Sequence, residues 1–147
     1  MQGTKKGRCT HKHHGFTLVE IMITLVIIGI LTAIAYPSYQ SYILKSRRSD
    51  ALSTISQYQI IFERCYAQNF AYNVACAALP GFPLTSPQGY YSISLSNLSA
   101  STYTLTATPL GTQVKDTTCA SMSVNQANVK TGLDSGAAAQ TSCWNPT

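Results

Sequence analysis

Three histidines, five cysteines and five carboxylates are the groups in this chain best suited to chemistry, and their placement limits what chemistry is open. His11, His13 and His14 fall beside Cys9 in one short basic stretch, MQGTKKGRCTHKHHG, a set of types that can hold a divalent metal. That stretch is polar and has no apolar periodicity, so a solvated leader destined for removal is the expectation, and no metal or other cofactor is expected. Beyond Gly15 there is no histidine. Glu20 lies in an apolar run, Asp50 and Glu63 fall in a helical pattern, and Asp116 and Asp134 stand apart in the last third. No nucleophile–base pairing, paired-carboxylate spacing or phosphate-binding glycine loop emerges from these positions, so an enzyme is not expected.

The four later cysteines, Cys65, Cys76, Cys119 and Cys143, form an even set, which suits two disulfides in an oxidising compartment. Three connectivities exist. Sequence order favours Cys65–Cys76 and Cys119–Cys143, with a free Cys65 thiol as the alternative. Loops of this size contribute about 3 kcal/mol each on the chain-entropy model. No CxxC occurs, which argues against zinc.

Charge follows the same division. The formal net charge is +5, with only 10% of residues charged. Lys5, Lys6, Arg8 and Lys12 precede Gly15 without an acid among them, and the rest of the chain is nearly balanced. The basic character therefore belongs mostly to the leader and says little about nucleic acid.

What positions these groups is a helix. Phe16 to Tyr36 is almost unbroken apolar sequence with one charge, Glu20. As a helix it is about 31 Å long, against a hydrocarbon core of about 30 Å, so a membrane span is expected. A carboxylate inside such a span costs about 2.5–3.5 kcal/mol on insertion scales and calls for a partner. Two simpler readings compete. Ala33-Ile34-Ala35 has the A-x-A form of a signal-peptidase site, but the apolar run is too long for a signal and contains Glu20. A plain signal anchor with an incidental acid is the other.

Pro37 ends the apolar run. Beyond it Leu44, Ala51, Leu52, Ile55, Tyr58, Phe62, Cys65 and Tyr66 recur at helical spacing, with no Gly or Pro before Asn69. One long helix, kinked or not at Pro37, is predicted from Phe16 to about Asn69, roughly 80 Å at the ideal rise. The Lys45-Ser46-Arg47-Arg48 cluster has the types to bind phosphate or DNA. Beside a membrane helix and close to Asp50, a solvated or headgroup-level face is expected instead.

Residues 70–89 carry three prolines past position 79 and two glycines and read as loop. Alternation follows, with Tyr91, Ile93 and Leu95 on one face, then Tyr103, Leu105 and Ala107, then Ala120, Met122 and Val124. An antiparallel meander of three or four strands is predicted, its apolar face covering the helix, with residues 132–142 as loop. Tyr90, Tyr91, Tyr103 and Trp144 are expected to pack in sheet and core rather than form a ligand surface. The fold class is α+β, divided as a leader (1–15), a membrane-spanning half-helix (16–36), an amphipathic half-helix (37–69) and a loop-plus-sheet head (70–147).

The junction Gly15-Phe16-Thr17-Leu18-Val19-Glu20 resembles the prepilin peptidase site of type IV pilins and pseudopilins. The run Ile28-Gly29-Ile30-Leu31-Thr32-Ala33-Ile34-Ala35-Tyr36-Pro37-Ser38-Tyr39 is similar to that family's N-terminal helix. More loosely, Gly89-Tyr90-Tyr91, Tyr103 to Pro109 and Cys143-Trp144 resemble PilE-like minor pilins. The resemblance implies cleavage between Gly15 and Phe16, N-methylation of Phe16, and Glu20 as the filament-assembly residue. It implies as partners the prepilin peptidase, other pilins, an inner-membrane platform and, indirectly, an assembly ATPase. The expected place is the bacterial inner membrane, head in the periplasm, and then the surface pilus. A minor pilus subunit serving adhesion, twitching motility or DNA uptake is the reading adopted. A pseudopilin of type II secretion and a pilus-carried DNA- or surface-binding receptor are its alternatives. Physically, cleavage would create a cationic amine on Phe16 that could pair with Glu20 of a neighbour and set register.

Overall fold

The computed structural model describes residues 15–74 and 79–145. Helix α1 runs Leu18–Asn69, through Pro37. The chain divides into two compact units, one ending at Pro37 and one beginning at Ser38.

The first unit is apolar and makes no core of its own. Leu18, Val19, Met22, Leu25, Val26 and Ile30 are each more than half exposed. Its hydroxyls turn back onto the helix: Thr24 donates to the Ile21 carbonyl at 2.8 Å and Thr32 to that of Ile28 at 2.9 Å. Satisfied polar groups under an apolar coat are what a bilayer requires. By length and composition this helix is long and apolar enough to cross a membrane.

The second unit holds a five-stranded antiparallel sheet in chain order: β1 (Leu84–Thr85), β2 (Tyr91–Ser96), β3 (Thr104–Pro109), β4 (Ser121–Asn125) and β5 (Lys130–Leu133). The expected alternation sets the inner face. Tyr91, Ile93, Leu105, Ala107 and Met122 are fully buried, against Ala51, Ile55 and Phe62 of α1 within one core cluster. Ile93 pairs with Ala107 and Ala107 with Met122, so large and small side chains alternate across the strands. Phe62 and Tyr103 stack at 4.5 Å between centroids, and Tyr72 meets Tyr103 edge-on at 4.8 Å.

Two strands exceed the expected meander. β1 is a two-residue edge strand between Pro83 and Pro87 in the stretch expected to be loop; a strand that short leaves no periodicity. β5 and a 3-10 helix at Thr141–Trp144 take the two ends of the expected 132–142 loop. The inward position of β5 next to Met122 is Gly132, where an added Cβ would lie 2.5 Å from the Gln140 carbonyl oxygen and 2.7 Å from the Cys143 Cβ. Only a glycine admits that approach. Cys143 is bonded to Cys119, tying the C-terminal segment to the entry of β4. Cys65 is buried and disulfide-bonded; its expected partner Cys76 lies outside the described residues, as do Cys9, His11, His13 and His14.

Contacts along α1 order the head. The 3-10 helix Gly111–Lys115 meets residues 44–48, through Gln113 to the Leu44 carbonyl and Arg47 to Thr112. The β4–β5 turn meets Gln59 through Asn128, and Tyr72 and Tyr103 reach Glu63. Twelve residues of helix separate Arg47 from Gln59, roughly 18 Å. The head therefore has an end near the span in chain distance and an end far from it.

Candidate functional site

At the N-terminal junction Gly15 and Phe16 precede the helix, and the Phe16 ring is 78% exposed. Thr17 caps α1: its hydroxyl accepts the Glu20 N–H at 3.2 Å and its carbonyl accepts the Ile21 N–H at 3.3 Å. Thr17 and Glu20 thus stand in the spacing of a capping box, with the carboxylate in the first turn, where the helix dipole favours it. Glu20 therefore has a local role that the reading of an acid inside an apolar span overlooked. A Cβ on Gly15 would meet nothing within 4 Å. No packing among the described residues demands glycine there.

In the head, the basic cluster resolves into unlike members. Arg48, expected on a solvated face, is buried. Its Nε donates to Asp116 Oδ2 at 2.7 Å and its Nη2 to Oδ1 at 2.8 Å, a two-point ion pair with side chains 4% and 3% exposed. Gln113 Nε2 donates to the same carboxylate at 3.3 Å, to the Tyr91 hydroxyl at 3.0 Å and to the Leu44 carbonyl at 3.0 Å. A second buried acid, Asp50, accepts the Ser86 hydroxyl at 2.5 Å and the Gln88 N–H at 3.2 Å. These two networks fasten the head's loops to α1. The signal for Arg48 was available: it stands four residues after Leu44 and three before Ala51, on the apolar face. Asp50 and Asp116 carried no such mark.

Burial raises the Tyr91 hydroxyl to about 12 and the Tyr72 hydroxyl to about 12, the latter also through its hydrogen bond to Glu63; burial and Glu63 raise Tyr103 as well. Asp134 is held below the usual carboxylate range by the Ala138 N–H and the Gln140 side chain.

Two of the head's acids are thus inward, while Lys45, Arg64, Lys115 and Lys130 are exposed. Arg47 lies with its guanidinium 4.5 Å from the Tyr90 ring centre. Lys130 Nζ lies 5.5 Å from the Trp144 ring centre, beside a cleft of about 420 Å3 that includes Thr131, Gln140 and Thr141. Tyr91 and Tyr103 are core residues as expected, and Tyr90 and Trp144 are half-buried beneath cations.

Residues 37–123 match the family described as "Type IV minor pilin ComP, DNA uptake sequence receptor", and residues 10–36 match the prokaryotic N-terminal methylation motif. Prepilin peptidase-dependent protein D of Escherichia coli is 35% identical over 81 residues, 55% of this chain and 56% of that protein. The type IV major fimbrial protein FimA of Dichelobacter nodosus is 51% identical over 51 residues, 35% of this chain and 33% of that one. The matches thus span between a third and just over half of these relatives. Among solved structures, the non-core minor pilin PilV of Neisseria meningitidis has the same fold, with a TM-score of 0.52 at 19% identity over 69% of this chain and 97% of that one. With more than half of its length matched by one family model, this chain belongs to the ComP family of type IV minor pilins.

Proposed function

We propose that this subunit is cut by a prepilin peptidase between Gly15 and Phe16, methylated on Phe16, held in the inner membrane with its head in the periplasm, and then built into a pilus, where its head receives DNA. The leader (1–15) is the removed part, 16–36 the polymerisation half of the helix, 37–69 the spine of the head, and 70–147 its loops and sheet. Glu20 meets the Phe16 amine of a neighbouring subunit, and the assembly platform and ATPase act as for other pilins. The subunit performs no catalysis of its own.

The observation that carries the DNA reading is the family match over residues 37–123, which covers most of the head. The surface charge supports it. With Asp116 paired to Arg48 and Asp50 bonded to Ser86 and Gln88, the exposed cations face little opposing charge. At the cleft beside β5, Lys130 supplies a phosphate contact and Trp144 a stacking surface.

Fluorescence anisotropy with a labelled duplex tests this. Binding should weaken steeply with salt, and Lys130→Ala should reduce the salt slope by about one. A head that shows no salt-dependent binding to any duplex would retire the receptor role and leave a minor pilin of adhesion or motility.

A further inference from the structure

The end of the head near the span carries a different set of groups. Tyr36, Tyr39 and Tyr42 recur at three-residue spacing just past the apolar run and are 64%, 64% and 69% exposed. Tyrosines collect at the headgroup level of membranes, where the ring is buried and the hydroxyl is wet. Lys45 follows three residues later. It is within about 9 Å of Tyr39 along α1, and helical side chains lean toward the N-terminus, which carries its ammonium back toward the tyrosines.

Lys45 shares a concave cleft of about 210 Å3 with Ser41, Lys115, Thr117 and Thr118. Lys45 and Lys115 come from different elements, both are exposed, and neither has a carboxylate partner among the described residues. The acid that lines the cleft, Asp116, is already held at two points by Arg48, so it does not cancel the lysines. Arg47, next along the helix, rests on the Tyr90 ring and the Thr112 hydroxyl rather than on an acid. The Ser41 hydroxyl donates to the Ser38 carbonyl at 2.8 Å, which leaves two free ammonium groups beside Thr117 and Thr118 around a concavity, a set suited to a phosphate.

We propose that this cleft binds the phosphate of an anionic phospholipid headgroup and holds the head against the membrane surface while the subunit awaits assembly. Duplex DNA carries the same phosphate chemistry, but at this level an anionic bilayer repels it. The proposal rests on Phe16–Tyr36 being a membrane span, not on the DNA reading.

The test uses the mature full chain in lipid nanodiscs of mixed phosphatidylglycerol and phosphatidylcholine, with the lipids retained on the protein counted by native mass spectrometry. The expected result is enrichment of phosphatidylglycerol, reduced on the order of tenfold by Lys45→Ala with Lys115→Ala, since each lysine near the surface strengthens the attraction several-fold. Lys45→Arg with Lys115→Arg should keep the enrichment, which excludes loss through misfolding, and Lys130→Ala should leave it unchanged. Inorganic phosphate in excess should not displace the lipid; displacement would mark a site for free phosphate and overturn the lipid assignment. Equal retention of both lipids, or enrichment that survives the double alanine variant, would also overturn it. So would alanine variants that lose DNA binding while keeping the lipid. A chain that fails to enter nanodiscs would overturn the span and the proposal together, and is distinguishable from one that enters without lipid preference.

Discussion

Replacing Asp116 by alanine leaves the Arg48 guanidinium buried with no anion. The pair it breaks is two-point, at 2.7 and 2.8 Å, and nearly closed to water. Stranding one partner of such a pair costs about 3–5 kcal/mol. In a unit of about 110 residues from Ser38 on, that lowers the melting temperature by roughly 12–20 °C, at about 4 °C per kcal/mol. The double change Arg48→Met with Asp116→Leu should recover most of the loss, because it removes the charge along with its partner. Gln113 Nε2 keeps two acceptors in the double variant, the Leu44 carbonyl and the Tyr91 hydroxyl. Urea denaturation of the oxidised head, run as a double-mutant cycle, measures all three variants. A loss under about 1 kcal/mol for Asp116→Ala, or a double variant as unstable as the single one, would refute the account of a buried charge pair fastening the 3-10 helix to α1.

Gly132→Ala should cost about 1–3 kcal/mol in the same denaturation, because its Cβ would overlap the Gln140 carbonyl and Cys143; unchanged stability would mean that β5 and the Cys143 segment are not so close. Alkaline pH should destabilise the head. Tyr91 is fully buried and titrates near 12 when folded but near 10 when unfolded, so its contribution is intact below pH 10 and is lost as pH rises from about 10 to 12, by about 2–3 kcal/mol. Denaturation midpoints that stay flat across that window would contradict this. Glu20→Ala should leave membrane insertion intact and impair incorporation into filaments, scored by blotting membranes and sheared pili; normal incorporation counts against Glu20 pairing with a neighbour's Phe16 amine.

The helix and the central strands were legible because each repeats a period over many residues. The spacing from Ala51 to Phe62 and the alternation from Tyr91 to Val124 name most of the core, while Leu44 and Tyr66 of the same expected face stay outside it. β5 was only partly legible: a fourth strand was allowed for, but its inward position, Gly132, is a glycine chosen for closeness and not for apolar area. β1 was hidden by its length and its prolines. Within the basic cluster, helical spacing from Leu44 and Ala51 marked Arg48 and not Lys45 as inward, but not its partner, a carboxylate 68 residues away. The junction at Gly15 and Phe16 was legible as a motif, although nothing among the described residues packs against Gly15.

The central claim is that this chain becomes a filament subunit only after its leader is removed, and mass spectrometry of the N-terminus in sheared surface filaments tests it most directly. The account predicts a mature chain that begins at N-methylated Phe16 and is present at low abundance beside a major pilin. A chain that begins at Tyr36, or one that retains Met1 and never appears in filaments, would contradict it.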